Sequence, residues 1–113
     1  MKRGEVWLIN LDPTIGAEIK KSRPAIIVND DAIGILPLKV IVPVTEWKEH
    51  YTAAPWLVQL LPDGENGLDK PSAADAFQVR SVSQKRFIRR LGKLSDAALN
   101  AVTEALTVVL CIR

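Results

Sequence analysis

The chain has 113 residues, 48% of them hydrophobic and 25% charged, with a formal net charge of +2. That balance belongs to a globular protein and excludes disordered, collagen-like and rod-like chains. One core is expected, hiding about 65% of the surface that the unfolded chain exposes, so residues 1–113 read as one domain.

The first strand is predicted over Glu5 to Leu11, where Val6 and Leu8 alternate with Trp7 and Ile9 to give apolar residues on both faces. Asp12-Pro13 and Gly16 break it, and Asp12 to Ser22 reads as a loop long enough to suggest a functional role. Pro24 to Asn29 is the second strand, closed by Asp30-Asp31 and Gly34. Leu38 to Val44, rich in β-branched residues, is the third, and Trp56 to Leu61 the fourth. Asp63-Gly64 and Asn66-Gly67 mark turns, and a further strand is predicted through Ala76 to Val82. The ending differs in kind. Leu99, Val102, Leu106, Val109 and Leu110 fall on one helical face. Ser95 suits the N-cap, Asp96 complements the helix dipole, and Leu94 with Leu99 fits a hydrophobic staple. The fold class expected is mainly β: a small antiparallel sheet closed by a C-terminal helix.

Apolar runs reach only four or five residues (Ala25 to Val28, Val108 to Ile112), short of the roughly 18 needed to cross a bilayer. Gly4 and Glu5 follow Met1-Lys2-Arg3 where a signal peptide would turn apolar, so a cytoplasmic protein is expected. Cys111 and His50 are the only residues of their kinds. Cys111, in apolar surroundings, reads as a buried thiol, and His50 as a loop residue. Together they cannot supply the three or four nitrogen and sulfur ligands of a zinc site, and no metal or other cofactor is expected. Neither a phosphate-binding Gly-rich loop ending in Lys-Ser/Thr nor a Gly-x-Ser-x-Gly elbow is present. Chemistry here must run on Arg, Lys, Glu, Asp, Ser, Thr or Tyr.

The charge is unevenly spread. Arg80, Lys85, Arg86, Arg89, Arg90 and Lys93 follow one another with no acidic residue between them, and Lys20, Lys21 and Arg23 end the long loop. Such patches suit a polyanion, because neutralising phosphates releases counterions. A solvated polar face is the alternative.

Arg3-Gly4-Glu5-Val6-Trp7, Leu11-Asp12-Pro13, Gly16-x-Glu18 and Arg23-Pro24-Ala25 together resemble the opening of the MazF/PemK family of toxin endoribonucleases. Val42-Pro43-Val44-Thr45, then Leu68, Ser72, Gln78-Val79-Arg80-Ser81-Val82 with Arg86, and Gly92-Lys93-Leu94-Ser95 are similar to its later signatures, in the same order. The resemblance runs from about Lys2 to Leu110. It implies a twisted, partly open barrel of the SH3-like, CcdB/MazF type. It also implies a homodimer with sites along the subunit interface, and a cognate antitoxin that covers them. The implied activity is metal-independent cleavage of single-stranded RNA, leaving a 2′,3′-cyclic phosphate or 3′-phosphate and a 5′-hydroxyl.

That chemistry needs a base for the 2′ proton, an acid for the leaving 5′ oxygen, and donors for the phosphorane charge. The nucleophile is already attached to the substrate, so proximity supplies much of the rate. Arg23 suits the charge-stabilising role, because its planar fork can donate twice to a phosphate and Pro24 holds its backbone extended. Thr45, by the resemblance, donates its hydroxyl to the same phosphate, and Glu18 is the candidate for proton transfer. Gln78 can read a base edge. Ser72, Lys20, Lys21, Arg80 and Arg86 complete the expected RNA-binding set, with a turn-stabilising hydroxyl as the alternative for Ser72. Phe77 stands where some family members carry an acid, and either stacks on a base or packs in the core. Two other readings of the chain remain: a CcdB-like gyrase poison, against which the mostly apolar Leu106 to Arg113 speaks, and an inactive RNA-binding homologue.

Overall fold

A computed structural model of the chain describes residues 1–33 and 36–112; Gly34, expected to close the second strand, and Arg113 lie outside them. Seven strands form one antiparallel sheet: β1 (Glu5–Asn10), β2 (Ser22–Ile27), β3 (Leu38–Glu46), β4 (Leu57–Leu60), β5 (Ser72–Asp75), β6 (Arg80–Ser83) and β7 (Phe87–Lys93). The order is β4-β5-β3-β2-β1-β7, with β6 also on β3, so β4 and β7 stay apart and no barrel closes. A single α-helix among the described residues, α1 (Asp96–Leu110), ends the chain.

The predicted strands are present with ends shifted by one or two residues, except in two places. Ala76 to Val82 is not one strand. Asp75 accepts the Phe77 N–H at 3.1 Å, which caps a 3-10 turn over Ala76–Gln78 and divides β5 from β6. β7 had no signal in the sequence. Its pairing with β1 runs Gly92, Arg90, Arg89, Phe87 against consecutive residues Val6 to Ile9, so Leu91 and Ile88 are bulged out and strict alternation is lost.

The sheet buries both faces. Val6, Ile26, Val42 and Val44 pack with Val102, Leu99 and Leu106 of α1, whereas Ile9, Leu11, Ala25, Ile27 and Ile41 face the other way, under Trp7, Ile19 and Phe87. Each fully buried aliphatic side chain contributes about 1.5–3 kcal/mol. The helix starts as expected, with the Ser95 hydroxyl accepting the Ala98 N–H at 3.1 Å. Its far end differs from expectation: Cys111 adopts the left-handed C-cap conformation at the end of the helix and is exposed rather than buried. His50 lies in a 3-10 turn, its ring edge-on to Tyr51 at 4.8 Å.

Gly67 joins the β4–β5 connection to β7. It has φ +72°, and a Cβ there would stand 2.2 Å from the Leu91 carbonyl oxygen, so only glycine lets the two backbones approach. Gly67→Ala is expected to destabilise by about 2 kcal/mol or more, against about 1 kcal/mol for loss of the helix cap in Ser95→Ala. Thermal unfolding of the two variants checks that ranking.

Candidate nucleic-acid cleavage site

Arg23 and Thr45 are brought together by strand register. β2 pairs with β3 as Ile27↔Ile41, Ile26↔Val42 and Ala25↔Pro43. Counting two residues further along the same register sets Arg23 opposite Thr45, both on the face of Ala25 and Pro43. There the strands part: β3 turns to β5 with Thr45↔Ala73, while Arg23 stays paired with Ile9 of β1. The divergence leaves a cavity of about 180 Å³ whose wall includes Arg23, Thr45, Ser72, Lys70 and Arg89.

Arg23 is half-buried, and its Nε donates to the Lys20 carbonyl at 3.3 Å. Thr45 is also half-buried. Ser72 is only 5% exposed and donates its hydroxyl to the Lys70 carbonyl at 2.9 Å, so it holds the turn before β5. Lys70 is ion-paired with Glu46 at 3.5 Å. Arg90 is likewise neutralised by Glu5 at 3.4 Å. Burial opposes ionisation of Glu5, but the Trp7 indole, the Lys2 N–H, the terminal ammonium and Arg90 outweigh it and hold its carboxyl below the usual range. Arg23 and Arg89, by contrast, have no ion-pair partner among the described residues. Arg23 and Arg89 thus line one small cavity together with Lys70, Glu46 and Asp69, and their guanidinium groups are the candidates for holding an anionic group there.

Glu18 does not join them. It lines a second cavity, of about 320 Å³, with Ile19, Pro43, Phe77, Gln78 and Arg80. Its carboxylate accepts the Ile15 N–H at 2.6 Å within the loop. Asp69 and Glu46 are the carboxylates on the wall of the Arg23–Thr45 cavity. Lys20 and Lys21 are exposed on the same loop, and Lys21 closes its base through backbone bonds to Asp12 and Leu11, each 3.0 Å. Arg80 donates to the Leu11 carbonyl at 3.4 Å; Arg86 donates to the Asn10 carbonyl at 3.2 Å and also to that of Asp12. Both arginines therefore grip the entrance of the loop. The Gln78 amide is engaged with the loop as well, accepting from Ile19 and donating to Ala17 and Asp75. Phe77 is 66% exposed, outside the core, with its ring 6.0 Å from that of Trp56.

Sequence reasoning passed over Asp69, Lys70 and Arg89. Arg89 lay within the basic run, but nothing in that run distinguished it from its neighbours. Its place depends on β1, where Leu8 pairs with Pro24 on one side and Arg89 on the other.

The family model described as PemK-like, MazF-like toxin of type II toxin-antitoxin system matches residues 2–110. The chain belongs to this family. The endoribonuclease MazF9 of Mycobacterium tuberculosis is 35% identical over 112 residues, spanning 94% of this chain and 92% of that one. The crystal structure of MazF from Deinococcus radiodurans superposes with a TM-score of 0.83 at 25% identity, over 99% of this chain and 97% of that one. A MazE–MazF structure from the same organism gives 0.76 at 25% identity, over 100% and 97% of the two chains. The open antiparallel sheet with its terminal helix is thus the fold of the MazF/PemK toxins.

Asp75, beneath the second cavity, carries a pH signature. Burial raises its carboxyl above the ordinary aspartate value, against the lowering effect of hydrogen bonds from Phe77 and Gln78. A raised folded pKa means that the folded state holds the proton more tightly than the unfolded one. Its stability contribution is full below about pH 4 and is lost as pH rises through the folded pKa. Asp75→Asn abolishes this titration, so the variant's Tm minus the parent's should grow as pH rises from about 4 to 7. Thermal scans across that range read the slope.

Proposed function

We propose that this protein is a toxin endoribonuclease that cuts single-stranded RNA in the cytoplasm and is held in check by a cognate antitoxin. The observation that carries the reading is that Arg23, Thr45 and a second arginine, Arg89, line one cavity. The endoribonuclease name of a relative matched over nearly its full length supports it, as does the family's place in toxin–antitoxin systems.

In this reading the ribose 2′-oxygen attacks the adjacent phosphorus and the P–O5′ bond breaks. The 2′ proton passes to a base and the departing 5′ oxygen receives one, leaving a 2′,3′-cyclic phosphate and a 5′-hydroxyl. Arg23 and the Thr45 hydroxyl donate to the phosphoryl oxygens as negative charge grows there. Carboxylates are the candidates for proton transfer: Glu18 on the loop, or Asp69 on the cavity wall. Lys20, Lys21 and Lys70 supply positive charge for the flanking phosphates, while Arg80 and Arg86 shape the loop beside them. Metal independence is part of this reading, and cleavage in EDTA tests it.

Arg23→Lys tests the site and the chemistry together. Lysine keeps the charge but loses the planar fork. Single-turnover cleavage should fall by about 10²–10³-fold, while affinity for an uncleavable RNA changes much less. The parent should cut equally well in EDTA; cleavage abolished by EDTA and restored by magnesium would overturn metal independence, and a Lys variant as fast as the parent would remove Arg23 from catalysis.

Exposed Ile33, Leu36, Leu38, Val108 and Leu110 leave apolar surface on this small protein that a second copy would cover. A homodimer is expected, and light scattering at micromolar concentration should return twice the 12.5 kDa chain mass.

A further inference from the structure

The middle of the loop between β1 and β2 is bonded to one side-chain amide. Gln78 Oε1 accepts the Ile19 N–H at 2.6 Å, and Gln78 Nε2 donates to the Ala17 carbonyl at 3.3 Å and to Asp75 Oδ2 at 3.2 Å. Asp75 is itself fixed, because its other oxygen accepts the Phe77 N–H at 3.1 Å. The Ile19 side chain packs against the apolar face formed by Ile9, Leu11 and Ala25. The next residue, Lys20, offers its carbonyl to Arg23 Nε at 3.3 Å. An unbroken path therefore runs from Asp75 through Gln78 and Ile19 to Lys20 and the guanidinium of Arg23.

Resting on the endoribonuclease reading, we infer that Gln78 is a positioning residue: it latches the loop so that the Lys20 carbonyl fixes the Arg23 fork toward the cavity it shares with Thr45. The chemistry of the latch demands an amide. One end must accept from a backbone N–H while the other donates to a carbonyl and a carboxylate. Glutamate supplies the acceptor but sets like charge against Asp75, and alanine supplies neither. Arg80, Arg86 and Lys21 hold the entrance and base of the loop, whereas residues 15–18 are exposed and Gln78 bonds this middle stretch at Ala17 and Ile19. Among the described residues Arg23 is hydrogen-bonded through Nε, which leaves both terminal nitrogens of its fork for a phosphate.

The test uses the full chain and three variants: Gln78→Ala, Gln78→Glu, and Gln78→Glu combined with Asp75→Asn. Three quantities are read: hydrogen exchange at the Ile19 amide, single-turnover cleavage of single-stranded RNA, and affinity for the same RNA with a 2′-deoxy group at the scissile position. In Gln78→Ala the Ile19 amide should exchange about tenfold faster or more. Cleavage should fall by about 10- to 10²-fold, because Arg23 is misplaced rather than removed. Affinity should stay within about threefold, because the phosphate contacts survive. Gln78→Glu should behave similarly, and adding Asp75→Asn should restore part of the protection and rate, because it reverses the hydrogen bond to residue 75 while the Ala17 carbonyl still lacks its donor.

An Ile19 amide that stays protected in Gln78→Ala would show that no latch exists. Fast exchange with parental cleavage would show a latch that positions nothing. Loss of affinity or a changed cleavage sequence, with exchange and rate intact, would make Gln78 an RNA contact instead. A parent that cuts no RNA would overturn the endoribonuclease reading and the positioning role with it, while the exchange measurement still judges the latch alone.

Discussion

The pairing of Ala25 with Pro43 is the constraint on which the rest of the molecule depends. β2 and β3 are buried on both faces, with Ile26, Val42 and Val44 turned toward α1 and Ala25, Ile27 and Ile41 turned away. A slip of one residue would exchange these two sets and send Arg23 and Thr45 to opposite faces. The hydrophobic pattern therefore fixes more than the core. It also sets the two polar residues at the strand ends opposite one another, and the parting of the strands beyond Pro43 opens the space between them.

Charge compensation gives that space its character. Several cations around the sheet are answered locally: Arg90 by Glu5, Lys70 by Glu46, and Arg80 and Arg86 by carbonyls of the loop entrance. Arg23 and Arg89, on the cavity wall, have no ion-pair partner among the described residues. Arg23 is half-buried and Arg89 exposed, and an anionic ligand with paired oxygens suits the fork of each. The basic run as a whole suggested a polyanion, and Arg89 is its member on the cavity that Arg23 and Lys70 also line.

The loop from Asp12 to Lys21 unites the two cavities mechanically. It begins under the grip of Arg80 and Arg86, is held at its middle by Gln78, and ends at Lys20 against Arg23. Thr45 lines one cavity and Pro43, two residues away on the same face of β3, lines the other. The polar residues of the 3-10 turn after β5 thus act on the loop, and the loop acts on the guanidinium. The fold's two apolar clusters supply the rigid frame for this, since Ile19 belongs to one of them.

By itself the sequence determined what depends on neighbours along the chain. Short apolar and β-branched runs bounded by turn residues revealed β1 to β4, Asp12-Pro13 and Gly16 revealed the loop because they stop a strand, and Ser95 revealed the helix start because a cap acts over three residues. Family resemblance added Arg23 and Thr45, which only register could show to be opposed. Tertiary structure decided the rest. β7 escaped notice because two bulges against β1 scramble its pattern. The Asp75 cap made the start of one expected strand, Ala76 to Val82, a 3-10 turn, with β6 beginning only at Arg80. Arg89 reached the cavity through β1, and Gln78 turned to a loop 59 residues away in the chain. Cys111, apolar in its surroundings along the chain, is exposed at the C-cap of α1. Each of these depends on which distant backbone lies alongside, and pairing of that kind is set by the burial of the whole sheet rather than by any local run of residues.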